Sequence, residues 1–308
     1  GAFYLYLCLK KDMKTAGFFA GQPAGLQLLT LLLFILGGSI LSSLLGMGLF
    51  FLFYGTNAQI GDFPDMLRLL QFLTASGTFI LPALLIAWFY SDSPKEFLSL
   101  DKRVNIQSVA LIFINILLIT PSITLLSWIN EQLSFPEWAA PLETWMREHE
   151  DLAQDFTYKL INGDGICPYL SNIIVIALTA AVSEELLFRG ALQRIIGRWT
   201  ENPHTVIWIT AILFSAFHLQ FYGFVPRMLL GAYFGYLLLW SKNIWLPICA
   251  HFFNNALTVT FMSSGTFRES DFVTGNLENE HLLPYAIFAI ITGFLFLLTN
   301  RTLKKVSK

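Results

Sequence analysis

The chain has 308 residues, of which 55% are hydrophobic and only 13% charged, with 29 Phe, 8 Trp and a mean hydropathy of +0.59. That apolar fraction exceeds the ordinary globular range, so a soluble single domain is excluded and little length remains outside a set of membrane spans. A net charge of −2 with no basic surface excludes nucleic acid as a partner. The three cysteines, Cys8, Cys167 and Cys249, form neither a disulfide framework nor a metal spacing.

Residues 1–25 read as an N-terminal tail in which Met13-Lys14-Thr15 has the form of a translation start, with Gly1 to Asp12 an upstream extension or cloning remnant. Charge-poor apolar runs then follow at about 26–54, 67–90, 106–129, 168–188, 205–222, 224–240, 244–262 and 282–300. Period-2 alternation is absent, and a helix satisfies its own backbone groups in lipid, so the fold class is all-α: a polytopic membrane protein of about eight transmembrane helices with a polar cavity inside the bundle. The first run has no cleavage site soon after it and is too long for a signal peptide. The units are thus the tail, three N-terminal helices over 26–129, an outer loop over 130–167, a polar-bearing core over 168–262, and the last loop, final helix and basic tail over 263–308.

In the outer loop, Leu142, Trp145, Met146, His149, Leu152, Phe156 and Leu160 recur near helical spacing opposite Glu143, Glu148, Glu150, Asp151 and Asp155. This pattern predicts an amphipathic helix on the membrane face; an exposed acidic helix fits it nearly as well. Gly38, Ser42 and Gly46, and Gly231 with Gly235, are small-residue spacings that signal close helix packing rather than chemistry. With eight spans, 14 of the 19 Lys and Arg share the side of both termini. The remaining five are Arg68, Arg147, Lys159, Arg227 and Arg268. Both termini are therefore expected in the cytoplasm, in the plasma membrane if the cell is bacterial.

Ionisable groups inside spans are costly, by at least ~2.5–3.5 kcal/mol at mid-membrane, and mark function by default. Three clusters occur in neighbouring spans. In Ser183-Glu184-Glu185-Leu186-Leu187-Phe188-Arg189, Glu185 and Arg189 are four apart and can pair, while Glu184 points about 100° away and stays available. Taken alone this is also an ordinary carboxylate pair at a helix end. His218, in Phe214-Ser215-Ala216-Phe217-His218, is by itself more often a packing histidine. His251 and Asn255 share a helix face and can both donate to a developing oxyanion, or simply join two helices. Each cluster needs an internal polar partner, and the simplest arrangement gives them one another.

Glu184-Glu185-x-x-x-Arg189, Phe214-x-x-x-His218 and His251-x-x-x-Asn255, in that order and inside spans, resemble the three-motif signature of the CPBP (Abi) family. These are the CAAX-protease and bacteriocin-processing intramembrane peptidases, which include type II CAAX prenyl endopeptidases. The motifs define a core from Thr179 to Phe261; the first three spans carry none of them. The resemblance implies an eight-helix, glutamate-dependent intramembrane protease whose partners are a peptide or membrane-protein substrate and the lipid bilayer. It makes Glu184 and His218 the water-activating pair, His251 and Asn255 the oxyanion stabilisers, and Glu185 with Arg189 the supporting pair.

The chemistry fits, because peptide hydrolysis needs a base for water, donors for the oxyanion and an acid for the leaving amine. No His-Glu-x-x-His and no Ser or Cys nucleophile motif is present, and Cys249 faces about 200° away from His251. No cofactor is expected; zinc held by Glu184, His218 and His251 is the alternative. A catalytically silent immunity or scaffold protein of the same fold is the competing reading, and a transporter, for which no inverted repeat is visible, is a third. One geometric demand follows. His251 lies near the cytoplasmic end of its span and His218 roughly 21 Å into its own, so they meet only if the helix bearing Glu184 continues through Arg198 and the next begins equally far out.

Overall fold

The computed structural model describes residues 16–264 and 279–307, and these contain helices and connections but no strand. The tail through Thr15, with Cys8 and Met13, most of the last loop, with Arg268, and Lys308 lie outside the described residues.

Five helices are long and apolar enough to cross a membrane: α1 (Ala24–Tyr54), α2 (Pro64–Tyr90), α3 (Ile106–Glu131), α5 (Ile166–Ile196) and the last, whose apolar stretch runs His281–Val306. Between α3 and α5 lies α4 (Ala140–Ile161), and between α5 and the last helix lie α6 (Pro203–Phe217), α7 (Phe224–Ser241) and α8 (Trp245–Ser263). The last helix, α9, spans Asn279–Val306. Each of the eight apolar runs therefore carries a helix, but the run expected over 205–222 is helical only as far as Phe217, which leaves α6 apolar and too short to cross alone.

The membrane explains what is left uncovered. Leu44, Leu45 and Leu52 on α1 and Ile290 and Phe294 on α9 are exposed, a distribution that lipid tolerates and water does not. The chain is an integral membrane protein. Its small-residue spacings do the packing expected of them. A Cβ on Gly38 would stand 2.0 Å from the carbonyl oxygen of Gly77 on α2, and one on Gly46 would stand 2.2 Å from Leu70 Cδ2. Glycine at these positions lets α1 and α2 approach to backbone contact.

Helix α5 runs through the middle of the bundle. Its segment from Leu186 to Leu192 is buried without interruption, as are Ile195 and Ile196, and it packs with Ala83, Ile86, Val206, Phe214 and Ile248 from three other helices. Two π-helical stretches, Ile173–Thr179 and Leu186–Leu192, flank Glu184 and Glu185; such widened turns recur at functional sites. The helix extends eight residues beyond the apolar run that ends at 188, and α6 does not begin until Pro203. The motif spacing demands such a continuation through Arg198, and α5 itself stops two residues short of it, at Ile196.

Helix α4 forms at the expected place and is held at its C-terminal end from inside. Buried Arg68 donates from Nε to the Leu160 carbonyl at 3.1 Å and to Asn172 Oδ1 at 2.8 Å, tying α2, α4 and α5 together. Leu142, Trp145, Leu152 and Phe156 remain exposed along α4.

Candidate active site

The site is built on α5, α6 and α8. Glu185 and Arg189 are fully buried on α5, and Arg189 Nη1 donates to Glu185 Oε1 at 2.8 Å. Arg189 also donates from Nη2 to the carbonyl of Gly231 on α7 at 2.8 Å, and lies over the rings of Phe214 and Phe234 at 4.4 and 5.5 Å. A Cβ on Gly231 would approach Arg189 Nη2 to 3.1 Å, so the glycine makes space for this guanidinium. A buried cation thus gains a carboxylate, a carbonyl and two aromatic faces, which together offset its desolvation.

From the same carboxylate oxygen the arrangement reaches α8: His251 Nδ1 lies 2.9 Å from Glu185 Oε1. The His251 ring stacks on Phe234, with centroids 5.1 Å apart and planes 19° from parallel. Glu185, held in place by Arg189, accepts from Nδ1–H and leaves His251 Nε2 directed elsewhere. That nitrogen is 3.9 Å from Glu184 Oε2.

His218 approaches the same oxygen from α6, its Nε2 3.8 Å from Glu184 Oε2. Its Nδ1 lies 2.9 Å from the Phe214 carbonyl oxygen, which can only accept, so the hydrogen sits on Nδ1 and Nε2 of the neutral ring carries a lone pair. Phe214 therefore explains its place in the motif twice, as backbone acceptor for His218 and as the face beneath Arg189. His218 closes α6, and Leu219 follows in the left-handed region at φ 54°, a strained conformation for a non-glycine residue beside a functional group. The turn after it is pinned by Asn130 Nδ2, which donates to the carbonyls of Phe221 and Tyr222 at 3.0 and 2.6 Å, and by Ser215 Oγ, which donates to the Phe224 carbonyl at 2.7 Å.

Glu184 Oε2 is closed to solvent and has no hydrogen-bond partner among the described residues. Asn255 sits one turn along α8 from His251, half-buried, with Nδ2 donating to the Ile176 carbonyl at 3.3 Å and Oδ1 accepting from Asn254 at 3.2 Å. Arg189, Glu185, His251, Glu184 and His218 thus form one chain of neighbours in that order, with Asn255 one helical turn from His251. Among the described residues no group of three His, Cys, Asp or Glu meets the geometry of a metal site. Cys167 is exposed and Cys249 partly buried, both as free thiols.

Sequence reasoning missed Phe234 and the polar chain from Arg227 to Glu150. Arg227 Nη2 donates to Gln220 Oε1 at 2.8 Å, and Gln220 Nε2 donates to Glu150 Oε1 at 3.0 Å, joining α7, the turn after His218 and α4. Nothing in the pattern singles out one phenylalanine among 29. Arg227 was legible only as a charge in an apolar run.

Residues 167–257 match the family model described as Rce1-like, type II CAAX prenyl endopeptidase. Over that segment the chain is similar to this family, and the matched residues include Glu184, Glu185, Arg189, His218, His251 and Asn255. A protein of Bacillus subtilis (strain 168) named Uncharacterized protein YpbD is 30% identical over 92 residues, 29% of this chain and 44% of its own length. The match therefore spans less than half of that curated relative. No solved structure matches the chain.

Proposed function

We propose that the protein is an intramembrane endopeptidase that hydrolyses a peptide bond in a membrane-associated peptide or protein. The observation that carries this reading is the approach of two histidine Nε2 atoms to within 3.8 and 3.9 Å of one unpartnered oxygen of Glu184. Three acceptors that converge need a donor between them, and a water molecule supplies two hydrogens. Glu184 takes the proton as water attacks and returns it to the leaving amine, while His218, held by Phe214, orients the water. Asn255 and His251 share one face of α8 and stabilise the tetrahedral oxyanion, Asn255 donating from Nδ2 and His251 donating from Nε2–H after taking up a proton from solvent, which it returns as product leaves. Glu185 and Arg189 fix the His251 ring.

We read the mechanism as metal-independent, because Asn255, the fourth member of the set, is a poor zinc ligand and the oxyanion role uses His251 as a donor rather than through its lone pair. Both termini belong in the cytoplasm on the distribution of Lys and Arg. The matched core also fits a silent scaffold, but a scaffold gains nothing from an unpartnered buried carboxylate between two histidines.

The test compares membrane-associated peptides from cells carrying the wild type and Glu184→Ala, followed by the purified proteins on the peptides that differ. Glu184→Ala and His218→Ala should each abolish cleavage without adding when combined, since they act as one unit, and both should still fold because their side chains are partly exposed, at 15% and 27%. Substantial cleavage by either single variant removes the assignment.

A further inference from the structure

Beside the site stands a cation that the scheme above does not use. Arg227, in the first turn of α7, donates from Nη2 to Gln220, but its Nη1 is closed to solvent and has no partner among the described residues. No carboxylate among the described residues is in ion-pair contact with it; Glu150 and Glu184 act on it only at longer range, and it in turn acts on His218. An unpaired charged donor shielded from water is a costly arrangement, retained where something else is to fill it. The guanidinium also has a dedicated space. A Cβ at Gly223 would come within 2.8 Å of Arg227 Nη2, although the backbone there is ordinary at φ −94°. Glycine at 223 therefore serves the guanidinium rather than the chain's conformation.

We infer that Arg227 is a substrate-positioning residue, donating from Nη1 to a main-chain carbonyl of the peptide on the His218 side of the scissile bond. The inference rests on the peptidase reading and adds to it the group that aligns the substrate. Local charge selects the ligand chemistry. Glu150, Glu184 and Glu185 outnumber Arg189 and Arg227, so a carboxylate entering here would meet a net negative surround, whereas a neutral carbonyl satisfies the donor at no charge cost. A peptide presents one such carbonyl per residue. A cavity of about 190 Å³ lined by Trp145, Met146, Leu219 and Phe224 abuts Gln220 and offers an apolar seat for the neighbouring side chain. Glu150, reached through Gln220, sets the guanidinium from the α4 side.

The probe is the best-cleaved member of an N-acylated, quenched-fluorescent decapeptide library, assayed with the full chain in lipid nanodiscs, and then resynthesised with each non-scissile carbonyl in turn as a thioamide. A thioamide is a weak acceptor, so the wild type should lose about tenfold in kcat/KM at one position, mainly through KM. Arg227→Gln should lose about tenfold on the parent peptide and nothing further at that position, and Arg227→Lys should recover part of the loss. Gly223→Ala, which displaces the guanidinium without removing it, should behave as Arg227→Gln and keeps the proposal testable if that variant does not fold. Equal sensitivity of Arg227→Gln and wild type at every thioamide, or parent kinetics unchanged in both variants, overturns the inference. Loss in Arg227→Gln of a preference for a free over an amidated C-terminus, or for an acidic over an amide side chain, overturns it in favour of a carboxylate ligand. A wild type that cleaves no member of the library overturns the peptidase reading itself.

Discussion

Replacing Glu185 by Gln should damage the fold at least as much as the chemistry. The substitution keeps the shape but removes the charge that faces Arg189, whose side chain, like that of Glu185, is fully buried. Breaking a buried pair by removing one partner costs about 3–5 kcal/mol. Here the Gly231 carbonyl at 2.8 Å and the Phe214 face at 4.4 Å stay in place and hold the loss near the lower figure. At ~2–4 °C per kcal/mol for a chain of this order of size, the melting temperature should fall by roughly 6–12 °C. The measurement is thermal unfolding of purified protein in detergent and in nanodiscs, for Glu185→Gln, Arg189→Met and the double variant Glu185→Leu with Arg189→Met. A well-packed apolar pair often replaces a buried ion pair at little cost, so the double variant should melt closer to wild type than either single one. It should still be inactive, because His251 Nδ1 loses the acceptor 2.9 Å away that aims its ring. Wild-type melting in Glu185→Gln together with lost turnover would refute the argument and move Glu185 into direct contact with the reaction.

Elemental analysis of active protein should find no stoichiometric zinc, and chelation should leave activity intact; one zinc per chain, with activity lost on chelation and restored on its return, would reverse the metal-independent reading. Burial of Glu150 between α4 and the turn after His218 pushes its carboxyl above the ordinary 4.5. The folded state therefore binds this proton more tightly than the unfolded chain, so the contribution is present below pH 4.5 and is lost as the pH rises through the elevated folded value. Glu150→Gln should flatten the dependence of melting temperature on pH across that window, and an unchanged profile would show that α4 does not bury this group in solution. Single cysteines at Glu201 and Lys242, both exposed, in a background lacking Cys8, Cys167 and Cys249 should resist a membrane-impermeant thiol reagent on intact cells; ready labelling of both from outside would invert the orientation.

What could be read from the sequence and what could not differ for a physical reason. Lipid makes every intramembrane carboxylate and imidazole conspicuous, so Glu184, Glu185, His218 and His251 stand out, and spacing alone pairs Glu185 with Arg189. The length of α5 beyond residue 188 follows from the need for His218 to meet His251, even though hydropathy falls away there. The π-helical turns on either side of the glutamates were not legible, because no residue type marks a widened turn. Nor was the chain from Arg227 through Gln220 to Glu150, whose last two members lie 70 residues apart in sequence.

That blind spot bears on orientation. A count of loop charges treats every Lys and Arg as a solvated reporter, yet Arg68 is buried and holds α4 to α2 and α5, and Arg227 is half-buried with its Nη1 closed to solvent and its Nη2 bonded to Gln220. Neither is a free loop charge. Arg189, counted on the opposite side, is likewise internal. Setting these three aside leaves Arg147, Lys159 and Arg268 on one face, with Arg147 and Lys159 each ion-paired along α4 to Glu143 and Asp155, against thirteen on the face of the termini. The asymmetry on which we propose cytoplasmic termini is therefore steeper once these three internal cations are set aside than among all nineteen, because two of them, Arg68 and Arg227, had counted against it.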